Sequence, residues 1–408
     1  MLCTSGNCTH WSNMSLLTYC TDYSIALDTS SGEYSQAFTV PINIAFSIYY
    51  FSSAWMNQLI VGGSTPWYVV SRINTALRPD GFINTSPVGM IVPIVYKAVN
   101  VQYIYTIPIF DYDTTDIIKC RWATNNTPVN INNYNECGGI CNGVPGAVLI
   151  PDNCTIIFTL TTAYLYAGVA LQVEDYYNST SVTPMSSIPI QFLFYGYNLT
   201  AGCTTPPAIL GGRTNEVCIN TPVGSSVTEY IIALTYCPGT SIVQFQTTSP
   251  YIFYFVRSIV FISFILATYQ ITLNWIPTSA QFGPQFFCAI AIDNNQIASN
   301  QSCFTFMVDT EAIDIIRPAM PALILQDQTL FSIQTTKKPY RPMRTGVNIY
   351  FHDANTSTNV STFDCSSAPE VTYKNDSILI TFTVAPWIPG HLYYVTMDRG
   401  TFEFLCLN

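Results

Sequence analysis

Residues Val99–Phe110 read VNVQYIYTIPIF, an alternation of apolar and polar or aromatic side chains that places every second residue on one face of an extended strand. It runs straight into DYDTTDIIKCRW, residues 111–122, where an acidic turn leads to a second strand of the same character. Short runs of this kind, broken by Pro, Gly, Asn and Ser, recur along the whole chain, and helical periodicity is almost absent. The pattern predicts an all-β protein of tandem immunoglobulin-like or cadherin-like β-sandwich modules, stapled by disulfides.

Outward from that stretch, strands are expected at Tyr23–Leu27, Ala37–Val40, Ile44–Phe51, Trp67–Val70, Val88–Tyr96, Ile117–Trp122, Ala147–Ile150, Thr155–Leu160, Leu165–Val173 and Ile188–Tyr195. Arg72–Pro87 is expected as a loop turning at Pro79-Asp80-Gly81. Linker-like GYNLTAGCTTPP begins a further set, Glu216–Ile219, Val227–Leu234, Ser241–Thr247, the Tyr251–Trp275 pair, Phe286–Ile292 and Cys303–Val308, and Pro318 and Pro321 mark the approach to a last one, Ala322–Leu325, Leu330–Gln334, Gly346–Phe351, Val371–Tyr373, Ile378–Val384, His391–Met397 and Phe402–Leu405. The expected modules are 1–97 with a Cys-rich start, 98–198 with a Cys-rich loop, 199–310, and 311–408. The first two are candidates for fusion into one unit.

The 408 residues are 49% hydrophobic and only 9% charged, with 14 Lys+Arg and a net charge of −10. So few cations exclude a basic nucleic-acid face and disfavour an anionic membrane surface. Solubility must come from elsewhere, and N-x-S/T sequons at Asn7, Asn13, Asn84, Asn125, Asn153, Asn178, Asn198, Asn300, Asn355, Asn359 and Asn375 supply candidate glycans. With 14 cysteines beside them, the expected setting is extracellular, secreted or at the cell surface. Met1-Leu2-Cys3-Thr4 shows no basic start and no apolar leader core, so the sequence is expected to lack its leader or to be a segment of a longer chain. Tyr251–Ala267, YIFYFVRSIVFISFILA, is nearly long enough to span a bilayer, but Arg257 sits mid-run and β-branched and aromatic residues dominate. It reads as two buried strands, with no transmembrane segment. Because the run is apolar on both faces, it needs cover from a neighbouring module, a glycan or another subunit.

No cysteine pair repeats at zinc-ligand spacing, so all fourteen are expected in disulfides. Cys120, Cys137, Cys141 and Cys154 form an even set with three connectivities open. Cys218, Cys237, Cys288 and Cys303 are expected to bond within the third module, and Cys365 with Cys406 in the last. Cys3, Cys8, Cys20 and Cys203 leave odd counts, so one bond is expected to cross a boundary or to link two chains. Asp111, Asp113 and Asp116 are a calcium candidate, since carboxylates two or three residues apart on a loop can converge on one hard cation. Glu174 and Asp175 could join them from a later strand; the plain alternative is a solvated acidic turn. No other cofactor is expected.

His10, His352 and His391 are far apart, and GxSxG, HExxH and phosphate-cradling glycine loops are missing, so no enzyme is expected. The 27 Tyr and 24 Phe are core residues or sugar-stacking platforms.

The order IPIFDYDTTDIIKCRWA, ECGGIC, PGAVLIPDNCTI, GVALQVEDY and PMSSIPIQFLF resembles a module of large secreted or cell-surface multidomain proteins of invertebrates such as rotifers and molluscs. CTDYSIALDTSSG and INTALRPDGFINTSP fit the start of that module. LNWIPTSAQFGPQFFCAIAIDN with NQSCFTFMV is similar to the immunoglobulin-like repeat that follows it, and RPMRTGVNIYFHDANTSTNV with GHLYYVTMD resembles Ig-like domains of bacterial surface proteins. The resemblance implies extracellular scaffolding or adhesion without a catalytic site. Where those relatives carry D-x-D-x-D, this chain has Asp111, Asp113 and Asp116, so one position of any shared metal site differs. Two functions follow as expectations. One is a structural subunit of an extracellular fibre, matrix or coat that self-associates or packs on neighbouring modules. The other is an adhesion or receptor ectodomain that binds a glycan or protein.

Overall fold

The computed structural model describes the chain apart from residues 9–10, 13, 15–16, 25–28, 35, 80, 112, 114–115, 127–129, 200–203, 212, 214, 216, 250–253, 264–266, 310–323, 336–338, 340, 342–347, 375–376, 399–403 and 406–408. Among the described residues it is all-β, with three short 3₁₀ turns as the only helical elements. Among the described residues no helix is long and apolar enough to cross a membrane.

The first unit holds β1 (Leu2–Gly6), β2 (Tyr19–Ser24), β3 (Thr29–Glu33), β4 (Ala45–Ser52), β5 (Trp67–Asn74), β6 (Val88–Gly89), β7 (Ile94–Ala98), β8 (Gln102–Thr106), β9 (Ile109–Phe110), β10 (Ile117–Trp122), β11 (Val148–Ile150), β12 (Thr155–Thr159), β13 (Tyr166–Tyr176) and β14 (Ser186–Tyr197). One sheet runs β1-β4-β5-β14-β13-β10, with β7 added parallel to β14; it is faced by β11-β12-β8. Modules 1–97 and 98–198 are therefore one sandwich, not two. The long β14 binds β13 along one edge, while its other edge takes β5 at Ser187 and β7 from Leu193 to Tyr197. Neither half could close its sheet without the other. Cys120 on β10 and Cys154 at the head of β12 join the two layers by a disulfide.

The second unit holds β15 (Ala208–Gly211), β16 (Val217–Thr221), β17 (Val227–Leu234), β18 (Ile242–Thr248), β19 (Tyr254–Ser263), β20 (Thr268–Trp275), β21 (Gly283–Asp293) and β22 (Ser302–Val308). The third holds β23 (Leu330–Gln334), β24 (Asn348–Asp353), β25 (Thr358–Asp364), β26 (Val371–Lys374), β27 (Ser377–Thr381) and β28 (Tyr393–Met397). A last strand, β29 (Phe404–Leu405), leaves that sandwich and pairs with β16 of the second. The expected module 311–408 thus gives up its final strand. The second unit layers β15-β17-β20-β19 on β18-β21-β22-β16-β29; the third layers β23-β27-β26 on β25-β24-β28.

Strands were expected at Ala37–Val40 and Ala322–Leu325; the described residues there form none, while β1, β3 and β25 arise from polar sequence that carries no apolar alternation. The run 286–292, FFCAIAI, shows why a strand can be apolar throughout. Phe287, Ala289 and Ala291 of β21 fill the second sandwich's own core. Cys288, Ile290 and Ile292, pointing the other way, belong to one buried cluster with Leu59, Met90 and Val92 of the first. Polar groups seal this joint. The Gln301 carboxamide accepts from Val92 N at 2.9 Å and donates to Met90 O at 3.1 Å, standing in for a strand partner. Asp22 Oδ2 accepts from Thr247 N at 2.7 Å and Thr247 Oγ1 at 2.8 Å.

The run 251–267 behaves differently from the two buried strands expected of it. Its described part, β19, is an end strand of its sheet, and Val260 and Ile262 are 51% and 47% exposed.

Candidate metal centre

Four loops and strand ends meet at one rim of the first sandwich. The expected turn after Pro79 is a tight one: Gly81 N bonds back to Arg78 O, and Gly81, at φ +87°, takes the left-handed backbone that lets Arg78 N reach Phe82 O. This hairpin brings Arg78, Asn84 and Thr85 beside the acidic turn. There Asp113 N donates to Asp111 Oδ1 at 2.9 Å and Asp116 N to Asp113 O at 3.0 Å, coiling the three carboxylates inward. One oxygen from each of Asp111, Asp113 and Asp116 lies within 4.8 Å of the others.

Asp175, on the inner face of β13, joins them. Its Oδ1 accepts from Ser186 N and its Oδ2 from Asn84 Nδ2, both at 2.6 Å. Glu174 does not. Neighbouring strand residues point to opposite faces, so Glu174 lies on the outer face, where Arg121 Nε donates to it at 2.8 Å. Arg121 also forks onto Glu136, whose side chain is wholly buried and which in turn accepts from Asn132. That network pins the polar loop between Thr124 and Glu136 over the sheet, so Glu174 is a structural ion-pair member and no ligand candidate.

Arg78 is the cation at the rim. It contacts Asp113 Oδ2 at 2.8 Å and both oxygens of Asp116, and stacks over Tyr177. Burial chiefly, then repulsion from Asp175, Asp113 and Asp116, pushes the Asp111 carboxyl up to about 7, against the hydrogen bond from Asp113 N. Burial raises Asp175 as well. Asp111 Oδ2 and Asn84 Oδ1 are both buried without a hydrogen-bond partner.

Sequence reasoning missed Arg78 and Thr85, and read Asn84 only as a sequon. Asn84 is half-buried, with its nitrogen donating to Thr85 O and Asp175. Asn7, Asn125, Asn153, Asn178, Asn198, Asn300, Asn355 and Asn359 are exposed; Asn13 and Asn375 lie outside the described residues.

Cys3–Cys8, Cys120–Cys154, Cys137–Cys141 and Cys288–Cys303 are disulfides, and Cys218 and Cys237 are disulfide-bonded too. Two expected bonds are missing. Cys365 is a free thiol buried in the third sandwich's core, turned toward Phe363 O and raised to about 11 chiefly by burial. Cys20, exposed on β2, is also free, its thiol on Asp22 O. Cys203 and Cys406 lie outside the described residues.

His10 also lies outside them. His352 and His391 share the third sandwich but serve different contacts. His391 Nδ1 sits 2.6 Å from Asp353 Oδ2, whose other oxygen accepts from Asn355 N, and His352 bonds Thr396 and stacks on Tyr394.

The strand topology defines a tandem β-sandwich protein, all-β and stapled by disulfides. No family model matches the sequence, and no curated protein does. Among solved structures the chain is similar to Drosophila N-cadherin EC1-3 at 9% identity, over 77% of this chain and 95% of that one, with a TM-score of 0.22. The sialic acid binding region of a Streptococcus sanguinis adhesin matches at 9% identity over 58% and 81%, TM-score 0.18. An endo-fucoidan hydrolase of glycoside hydrolase family 107 matches at 11% over 68% of this chain but 43% of its own, TM-score 0.19, so the chain spans less than half of that enzyme's length. Likeness this distant carries nothing about ligand or activity.

Proposed function

We propose that this is a non-enzymatic extracellular glycoprotein, a structural subunit of a fibre, matrix or surface coat that assembles through its β modules. One observation carries the reading. The end strand β19 leaves Val260 and Ile262 about half exposed, and beyond Arg257, the one charged residue within β19, residues 258–275 hold no Lys, Arg, Asp or Glu. An edge that is apolar and uncharged over its second half pairs with another strand or is covered by one. The sealed joint between the first two sandwiches supports the same reading, because a stiff unit transmits a repeat into a filament. Eight exposed sequons supply the glycan shield that 9% charge leaves necessary. Sedimentation velocity and negative-stain microscopy of non-reduced protein test it. Concentration-dependent oligomers or filaments are expected, and Val260→Lys with Ile262→Lys should return the protein to monomer. A wild type that stays monomeric at every concentration would refute assembly.

A second reading, an adhesion or receptor ectodomain, rests on the rings of β4 and β5. Tyr49, Phe51, Tyr68 and Tyr134 form a connected group with centroids 4.3–6.3 Å apart, and Phe51 is 52% exposed. Such a platform suits stacking on a sugar or an apolar peptide. Glycan-array binding lost in Phe51→Ala would favour it.

A further inference from the structure

We propose that the N-linked glycan of Asn359 lies across a row of aromatic rings on the outer face of the third sandwich, which is built as its platform. The inference rests on the glycoprotein reading above and narrows it to one site. Among the described residues Asn359 is the one sequon asparagine inside a β-strand; the others lie in loops, turns or a 3₁₀ turn.

A bulge decides which way it points. β24 and β25 pair in even register from Asn348 with Asp364 to Phe351 with Ser361; His352 then pairs with Asn359, so Val360 is the extra residue. Strand side chains alternate between faces, and without the bulge residues 359 and 362 would point to opposite sides. With it they share the outer face, and Asn359 Nδ2 donates to Thr362 Oγ1 at 2.7 Å. Ile349 and Phe351 take the inner face and are buried in the core.

The outer face carries the rings. His352 stands between Asn359 on one neighbouring strand and Tyr394 on the other. The His352 and Tyr394 rings stack at 4.7 Å and 16°, and Tyr350 continues the row at 6.1 Å and 25°. Their polar ends are tied down: Tyr350 OH donates to Asp398 Oδ2 at 3.0 Å, and His352 Nε2 lies 2.8 Å from Thr396 Oγ1. Rings held in place lose little freedom when a ligand settles on them. Tyr394 is 48% exposed, so part of this ring surface faces solvent.

Placement selects the occupant. Directly paired strand residues have Cβ atoms about 4.5–5.5 Å apart, so a sugar on Asn359 begins beside the His352 ring. Two strand spacings of about 4.8 Å separate β25 from β28, within reach of the two N-acetylglucosamine units that begin an N-linked glycan. Their C–H faces match the flat apolar faces of the rings. The covalent tether gives them a high effective concentration there without a second binding event. The amide–sugar bond replaces one hydrogen of Nδ2 and leaves the other for Thr362, so that hydrogen bond survives glycosylation.

The test uses the whole chain secreted from cells that add N-glycans, with Asn355, in the turn of the same hairpin, as internal control. Glycopeptide mass spectrometry should find sugar on Asn359. In wild type, nuclear Overhauser contacts should join an N-acetyl methyl to the His352 or Tyr394 ring, a reading that needs no variant. His352→Ala with Tyr394→Ala should speed amidase release of the Asn359 glycan from folded protein by about 3- to 10-fold, the worth of one stacking contact. Release at Asn355 should stay the same, and strand position alone would slow Asn359 equally in both proteins. Unchanged release in the variant would overturn the inference, as would absence of the Overhauser contacts. A bare Asn359 beside sugar at other sequons would overturn it and leave the glycoprotein reading standing, whereas no sugar at any sequon would remove both. With Asn359 bare, glycan-array binding lost in Tyr394→Ala would assign the row to an outside sugar, and dimers lost in that variant would assign it to a second copy.

Discussion

Replacing Cys120 and Cys154 together by alanine measures how far the first sandwich depends on its cross-layer staple. The bond closes a loop of sequence separation 34, and both half-cystines are buried, at 1% and 2% exposure. Chain-entropy arithmetic for a loop of that length gives about 12–13 cal/mol/K, or about 4 kcal/mol at 25 °C. Cys137–Cys141 has a separation of 4, for which the same arithmetic gives about 2 kcal/mol. The two losses should therefore differ by about 2 kcal/mol in urea titrations of non-reduced protein. In thermal melts the first pair should cost about 8–15 °C and the second about half of that. The comparison matters more than either value, since each variant also loses some packing. Equal losses, or a larger one for Cys137–Cys141, would show that the staple acts through local packing and not by constraining the unfolded chain.

Asp111 makes the stability of the protein sensitive to pH. Its folded carboxyl, raised to about 7, keeps a proton that the unfolded chain releases near pH 4. The folded state binds more protons across that window, so this group's contribution to stability falls as pH rises from about 4 to 7 and is level above it. Urea midpoints should show the decline in wild type and a flatter profile in Asp111→Asn; identical slopes would contradict the assignment. At the joint, Gln301→Ala removes the two bonds that cross it and leaves Val92 N and Met90 O without their partner, a loss of about 1–3 kcal/mol. Scanning calorimetry should then resolve separate transitions for the first and second sandwiches where wild type gives one, and an unsplit peak at the wild-type temperature would refute the coupling.

Fold class was legible because alternation is local. Ile117–Trp122, Val227–Leu234 and Leu330–Gln334 fall where the pattern places them. What alternation cannot carry is which strand neighbours which. The fusion of 1–97 with 98–198 depends on β14 sharing one edge between β5 and β7, a non-local choice with no trace in either segment. The rule that a doubly apolar strand needs two covers was sound, yet 251–267 was only one place to apply it. FFCAIAI, shorter and less conspicuous, is the strand that another module covers. At the rim, the acidic trio was visible from spacing, and period two separates Asp175 from Glu174 once the strand is known. Arg78 and Asn84 were hidden because they arrive through a turn thirty residues upstream, and because a sequon offers an easier account of an asparagine.

The return of β29 to β16 makes the third sandwich an insert within the sheet of the second. Val308 ends β22 beside Thr221, and Phe404 opens β29 beside Cys218, with β16 lying between the two strands. Three residues along β16 and two strand spacings across it separate these points by about 14 Å, a gap that about five residues can bridge. The third sandwich can in principle be lifted out and the cut ends rejoined, or another domain set in its place, without disturbing the sheet that holds it.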